Sequence, residues 1–487
     1  MPARLESLYQ HSLALLTDLY QLTMAVGYWK SSLAEREAVF QLTFRTAPFG
    51  GGFALAAGLA DVIGFVERFR YSDDDLAYLA TLCGADGQRL FSDGFLKYLE
   101  RLKLSCEICA IPEGTAVFPH EPLVRVRGPL VQCQLLETPL LTLVNFPTLI
   151  ATKAARVCWA ARGEPVLEFG LRRAQGIDGG ITAARAAFIG GCTATSNVLA
   201  GKLFDIPVKG THAHSWVMTF DQEREAFESY ADALPNNCIF LVDTYDSVEG
   251  VRNAIEVGLA LRRQGHEMIG VRLDSGDLTE LSVAARRLLD EAGFPQASIV
   301  ASNDLDEYRI SELKQQGAAV NVWGVGTRLT TAFEQPALGG VYKLAAIADE
   351  AGKLQPRIKL SSDPIKTSTP GVQQVRRFRA GGHYLADCIF KESLGVDEPP
   401  ADVQLADGSH IPIPADAEFE DLLQPIFRDG HLLYNPPSLP DIQSHARREL
   451  AQLPGDVTRI RDAANYPVGL EVSLQRLKQQ LIDEARQ

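Results

Sequence analysis

Residues 238–274 read CIFLVDTYDSVEGVRNAIEVGLALRRQGHEMIGVRLD. A short apolar run ends on Asp243, a helix-length amphipathic stretch follows, and a second apolar run ends on Asp274. A strand that is apolar throughout has both faces buried, as in parallel sheets, and a helix-length connection is what a parallel crossover requires. The segment predicts one complete βα unit and the strand of the next.

The same alternation recurs outward, from about 165 to 330. The runs PVLEFG (165–170), FDIPVKG (204–210), SIVAS (298–302) and AVNVWGVG (319–326) join the two above, at spacings of roughly 20 to 40 residues. TELSVAARRLLDEAG fills one gap as a helix closing on a C-cap glycine. Six such units predict an α/β fold, an incomplete or irregular β/α barrel over 151–345, with a doubly wound open sheet as the alternative.

The flanks have a different character. Within 1–150, LLTDLYQLTMAVGYW has helical spacing, AVFQLTFRTAP alternates like a strand, and CEICAIPEGTAVFPHEPLVRVRGPL is punctuated by Pro and Gly at turns. This predicts an additional α+β domain. Residues 346–487, with the loop-like GVDEPPADVQLADG and YNPPSLPDI and the terminal helix SLQRLKQQLIDEARQ, are expected to complete that domain and to pack at a dimer interface.

A chain of 487 residues, 46% hydrophobic, buries more than one sizeable core. Its formal net charge of −14 repels nucleic acid and anionic membranes at long range, so neither is an expected partner, and anionic ligands need local cations. The opening MPARLESLYQHSLALLTDLYQ carries polar and acidic residues through its apolar stretch, and about 18 uncharged apolar residues nowhere run together. A cytoplasmic location is the expectation. Cys106 and Cys109 in SCEICAIPEG lack a second CxxC and are read as strand cysteines.

Strand ends carry the ligands in both candidate architectures. After the apolar runs come LRRAQGIDGG, THAHS, DTYDS, RLDSGDL, SNDLDEY and GTRL. They bring Arg172, Arg173, Arg272 and Arg328 to one face with Asp243, Asp246, Asp274 and Asp277. Arginine forks and Gly-rich helix starts hold phosphate, and carboxylates hold ribose hydroxyls or the Mg²⁺ of a polyphosphate. The pattern fits a phosphorylated sugar; the alternative is a structural network of arginines and aspartates, with the small polar residues acting only as caps and turns. In GTHAHSW, 210–216, His212 and His214 are two apart, and three readings stand: a chelating pair on one strand face, structural imidazoles, or catalysis by one of them.

LLTDLYQLTM, EFGLRRAQGIDGG, GTHAHSW, VDTYDSVEG, GVRLDSGDL, ASNDLDE, VWGVGTRL and KLSSDPIKTSTPG follow one another in an order that resembles nicotinate phosphoribosyltransferases, with a weaker echo in NYPVGLEVSLQRLKQQL. The resemblance implies transfer of phosphoribosyl from 5-phosphoribosyl 1-diphosphate to nicotinate, forming nicotinate mononucleotide and diphosphate in NAD biosynthesis. It also implies coupling to ATP through a phosphohistidine, with Mg²⁺ as cofactor. It assigns the phosphohistidine to His214, leaving His212 without a role, and nicotinate contacts to Tyr20, Thr211 and Arg328. Tyr20 is expected to reach into the partner of a homodimer with shared active sites. Arg272 and Asp274 resemble catalytic positions of the family. Arg172, Asp243, Gly324, Gly326, Thr327 and Ser368 resemble its phosphoribosyl diphosphate contacts, Ser368 standing where some relatives carry Thr. The residues that ligate Mg²⁺ are not assigned.

Overall fold

The structure, a computed structural model, describes residues 12–394, 402–405 and 407–486. The opening residues 1–11 and the loop reading of GVDEPPA, 395–401, lie outside the described residues. The chain forms two compact units, Lys153–Pro336 and a discontinuous one of Met1–Thr152 with Ala337–Gln487.

The unit Lys153–Pro336 is built on a curled parallel sheet of β1 (Val166–Glu168), β2 (Ala194–Thr195), β3 (Ile239–Leu241), β4 (Gly270–Leu273), β5 (Ser298–Ala301) and β6 (Val322–Val325). Its spatial order is β2-β1-β6-β5-β4-β3, every pairing parallel, so the last strand returns to the first. Phe240, Val271, Leu273, Ile299, Trp323 and Val325 are buried, as continuous apolar strands predict. Three of the crossover helices start within a few residues of their strands on an aspartate cap. Asp246 accepts from Glu249 N–H, Asp277 from Thr279 and Glu280 N–H, and Asp306 from Arg309 N–H. Gly293, at φ +79°, follows the helix Leu278–Glu291 as the C-terminal glycine that the sequence predicts.

Two readings need correction. The run 204–210 is not a strand: Phe204 closes the helix Val198–Phe204, and only an isolated bridge joins Val208 to Thr195. The sixth strand is instead Ala194–Thr195, two residues long and set among polar neighbours, with too little apolar length to register as a run. Nor do His212 and His214 share a strand face, since His214 opens a helical turn, His214–Val217.

The other unit holds two large sheets. One is antiparallel and seven-stranded, with Glu37–Thr43 between Val341–Ala348 and Val124–Pro129. Residues 337–345, read from the sequence as the end of the barrel, enter this sheet through Val341–Ala348, whose partners are Glu37–Thr43 and Leu354–Pro356. The second, six-stranded sheet contains Gln373–Ala380, His383–Lys391 and Val468–Leu470. Arg377 is fully buried there and bonds Asp387 and Glu449, the charge pairing that such burial demands. Cys109 lies in the strand Glu107–Ala110, with Cys106 just before it, and both are buried. Among the described residues the stretch Leu130–Ala160 is long and apolar enough to cross a membrane, although 61% of its most apolar window is buried in the fold.

Candidate active site

The carboxyl ends of β3 and β4 bring the predicted residues together. Arg272, on β4, uses its whole guanidinium: Nε donates to Ser302 Oγ at 2.9 Å, one terminal nitrogen to Thr211 Oγ1 at 3.0 Å, and the other to Asp274 Oδ1 at 2.8 Å. Ser302 also donates to Asp274 Oδ1. Burial by itself raises the Asp274 pKa, but the Ser302 hydrogen bond and the Arg272 guanidinium outweigh it and hold the carboxyl below its usual range. Asp274 is thus an anion fixed in place.

His214 stands beside it. Its Nδ1 is 3.1 Å from Thr244 Oγ1, just past the end of β3, and its Nε2 is 3.8 Å from Asp274 Oδ2. The imidazole is 40% exposed, so it is oriented by protein groups yet open to a ligand. Asp243 closes the group from the β3 side. Its Oδ2 accepts from Asp274 N–H at 2.9 Å and Ser275 Oγ at 2.6 Å, while its Oδ1 is buried with no hydrogen-bond partner among the described residues.

The structure sorts the four aspartates expected on this face. Asp243 and Asp274 point into the cluster, whereas Asp246 and Asp277 are helix caps. The arginines divide too. Arg272 is pinned as above, and Arg172, in the turn Leu171–Arg173, is exposed. Arg328, in the short helix Thr327–Thr330, places one terminal nitrogen 3.2 Å from both Asp306 Oδ2 and Glu334 Oε1. Its guanidinium also lies 4.8 Å from the Phe333 ring centroid, and its other N–H donors have no hydrogen-bond acceptor among the described residues. Arg328 is preset by carboxylates while keeping donors free.

Glycines of VWGVGTRL have packing reasons of their own. Gly324 lies inside β6, where a Cβ would come within 2.9 Å of the Phe169 ring; at Gly326 a Cβ would stand 3.2 Å from the Phe169 carbonyl oxygen. Thr327 begins the turn that carries Arg328.

The family models describe the same chain. The model of the nicotinate phosphoribosyltransferase N-terminal domain matches residues 15–145, that of the nicotinate phosphoribosyltransferase family 165–381, and that of the C-terminal domain 373–478. The nicotinate phosphoribosyltransferase of Bacillus subtilis is 44% identical over 481 residues, covering 98% of this chain and 96% of that protein. The chain belongs to the nicotinate phosphoribosyltransferase family. The human protein of that name is 38% identical, with 95% of each chain covered. A crystal structure of human nicotinic acid phosphoribosyltransferase superposes with a TM-score of 0.84 at 36% identity, covering 96% of this chain and 99% of that one. A nicotinate-nucleotide pyrophosphorylase from Pyrococcus furiosus, at 21% identity and a TM-score of 0.70, shares the fold.

Two of the residues that the family resemblance singles out, Tyr20 and Ser368, belong to the other unit. Tyr20 is on the helix Leu19–Lys30 and half-exposed; burial, then Glu137 and Asp18, push its phenol pKa up. Ser368 Oγ accepts from Lys359 N–H at 2.8 Å and borders a small cavity lined also by Arg45, His120, Lys343 and Lys366.

Sequence reading missed three features of this unit. Phe169, at the end of β1, has the Arg272 guanidinium 5.9 Å from its ring centroid and packs on Gly324. It sits within EFGLRR, where an aromatic at a strand end was the available signal. Glu168, 1% exposed, accepts from Thr195 Oγ1 at 2.6 Å and from Gly170 N–H, and burial pushes its pKa up. Lys153, fully buried, bridges Glu307 and Glu334 at 2.6 Å each, and Glu334 in turn holds Arg328. Burial acts to raise the Glu334 pKa, but the hydrogen bond and charge of Lys153 bring it below the usual value.

Proposed function

We propose that this chain transfers phosphoribosyl from 5-phosphoribosyl 1-diphosphate to nicotinate, and that ATP drives the step through phosphorylation of His214. The observation that carries the reading is the convergence of His214, Asp274, Arg272 and Thr211 at the carboxyl ends of a curled parallel sheet. We read that sheet as a β/α barrel open at one seam, carried by Lys153–Pro336, with the flanking Met1–Thr152 and Ala337–Gln487 as the companion domain.

In the phosphoryl step, Thr244 Oγ1 accepts a hydrogen bond from Nδ1–H, so Nε2 presents its lone pair to the γ-phosphorus of ATP. A P–N bond forms, the bond from the γ-phosphorus to the bridging oxygen breaks, and ADP leaves. Water later cleaves the P–N bond, releasing phosphate and restoring neutral His214. In the transfer step, the pyridine nitrogen forms a bond to C1 of the ribose as the C1–O bond to diphosphate breaks. Charge builds as an oxocarbenium-like sugar and an anionic leaving group, so fixed charges do most of the catalysis. Asp274 and Asp243 stabilise the sugar cation, and the exposed Arg172 together with Gly326 and Thr327 serve the phosphates.

Arg328 and Thr211 are assigned to nicotinate, Arg328 through the free part of its fork, and Phe169 offers the pyridine ring a stacking face. Tyr20 of one protomer and Ser368 complete the set in a homodimer. The donor set also fits Mg²⁺, which takes one or two carboxylates and completes its shell with water and substrate phosphates. Asp243, through its unpartnered Oδ1, and Asp274 would hold it. Bound there it would neutralise charge on the leaving diphosphate. These co-substrates favour a cytoplasmic location.

The test is product formation from nicotinate and 5-phosphoribosyl 1-diphosphate, with ATP present or absent and nicotinamide as competitor. Nicotinate mononucleotide forms, faster with ATP, and nicotinamide competes weakly. No transfer to nicotinate, or preference for nicotinamide, contradicts the reading.

A further inference from the structure

Along the curled sheet every neighbouring pair of strands in the order β2-β1-β6-β5-β4-β3 shares backbone hydrogen bonds, and β2 and β3 are its two edges. Residues 207–209 pair with β2, Thr195 N–H donating to the Pro207 carbonyl and Lys209 N–H to the Thr195 carbonyl, both at 3.0 Å. Beyond them the chain leaves the sheet, and no backbone hydrogen bond among the described residues joins it to β3. On the β3 side, Val242 N–H bonds the Arg272 carbonyl on β4, so the adjacent Leu241 N–H faces the open seam. A buried N–H left without an acceptor is costly. His212 answers it: the imidazole Nε2 accepts from Leu241 N–H at 3.2 Å.

We propose that His212 is a positioning residue, its imidazole standing in for the missing ladder bond and thereby fixing where His214 lies against Thr244 and Asp274. The step from seam to His214 is short. The segment 211–214 is tied at three points: Thr211 to Arg272 on β4, His212 to Leu241 on β3, and His214 to Thr244, three residues past Leu241. Were the segment to pair with β3 through its backbone, it would stay extended, and residues 212 and 214 would face the same way. A side-chain acceptor satisfies Leu241 and frees the backbone to start the turn His214–Val217, which sends His214 to the site and His212 to the core.

The surroundings of His212 suit an acceptor. It is 7% exposed, with its ring centroid 5.0 Å from that of Tyr230 and 5.9 Å from that of Phe227, and Nδ1 lies 3.5 Å from the Ala213 carbonyl. Burial, and secondarily the nearby Arg272 and His214, bring its pKa down to about 4 against the Ala213 bond, so the ring is neutral and Nε2 keeps its lone pair.

The part that concerns ATP rests on the phosphohistidine reading above; the part that concerns geometry does not. The experiment compares His212→Leu and His212→Gln in the full chain, since Gln carries an acceptor at the reach of Nε2 and Leu carries none. The primary readout is the ¹⁵N shift of His214 Nδ1, which reports the Thr244 bond whether or not ATP acts on it. In the Leu variant that shift moves toward a solvated imidazole and Leu241 amide exchange accelerates; Gln restores both. The second readout is labelling of His214 at saturating γ-labelled ATP, which slows by about tenfold or more in the Leu variant and recovers in the Gln variant, while nicotinate KM stays within about threefold. An unchanged His214 signal in the Leu variant, or a Gln variant as displaced as Leu, overturns the proposal. If the Leu variant does not fold, Gln decides: a native His214 signal and protected Leu241 support it, and a displaced His214 with Leu241 protected overturns it. Wild-type chain that takes no label refutes the phosphoryl step alone.

Discussion

His214 Nε2 stands 3.8 Å from Asp274 Oδ2, while the other oxygen of that carboxylate is held by Arg272 and Ser302. The aspartate therefore cannot swing to follow the imidazole. What orients the ring is Thr244 on its far nitrogen, and this division of labour yields the first prediction.

Replacing Thr244 with Val removes the Nδ1 partner and leaves the packing volume. One neutral hydrogen bond is worth about 0.5–1.5 kcal/mol, so phosphorylation of His214 slows by roughly threefold to tenfold. ATP-independent transfer keeps its rate. Single-turnover labelling beside an ATP-free assay separates the two, and equal loss in both contradicts the assignment of Thr244 to the phosphoryl step.

The Asp274 carboxyl has its pKa depressed in the fold, so it stabilises the folded chain at pH values above the ordinary Asp pKa of about 3.9, and that contribution is lost as pH falls through the lower folded value. Wild type minus Asp274→Asn should give a melting-temperature difference that is constant from neutral pH to about 5 and shrinks below it. A difference that grows on acidification has the wrong sign for this site.

These two predictions mark what sequence does and does not disclose. Apolar runs ending in Asp243 and Asp274 were legible because a buried parallel strand advertises itself by continuous hydrophobicity. Ala194–Thr195 was not, since two residues carry no period. Asp243 and Asp246 are alike as letters, and only the helix start at Ser247 makes the second a cap. The network of Lys153, Glu307 and Glu334 joins residues up to 181 positions apart, beyond the reach of any local pattern.

Arg328 holds Asp306 and Glu334 with one nitrogen, and under the proposed function its remaining donors take the substrate carboxylate. Arg328→Gln should raise nicotinate KM by roughly tenfold to a hundredfold, the cost of a lost charge-assisted pair of about 1.5–3 kcal/mol. The KM for 5-phosphoribosyl 1-diphosphate should change far less. Equal rises for both substrates would reassign the arginine to the phosphates.

Lys153 is fully buried between two carboxylates, so Lys153→Met takes one cation from each and leaves Glu307 with Arg156 alone and Glu334 with Arg328 alone. Stranding a buried charge costs about 3–5 kcal/mol, and because each carboxylate keeps a second cation the loss here should fall below that range while denaturant unfolding still registers it. Because Glu334 also holds Arg328, the variant's remaining activity should show a raised nicotinate KM. A stability loss with unchanged KM would mean that the network does not preset Arg328.

The central claim is tested most directly by incubating the chain with γ-labelled ATP and measuring protein-bound label that is stable to base and released by acid. Wild type should take up label, and His214→Asn should take up none and lose ATP stimulation while retaining slow ATP-independent transfer. Acid-labile label on the His214→Asn variant would contradict the account.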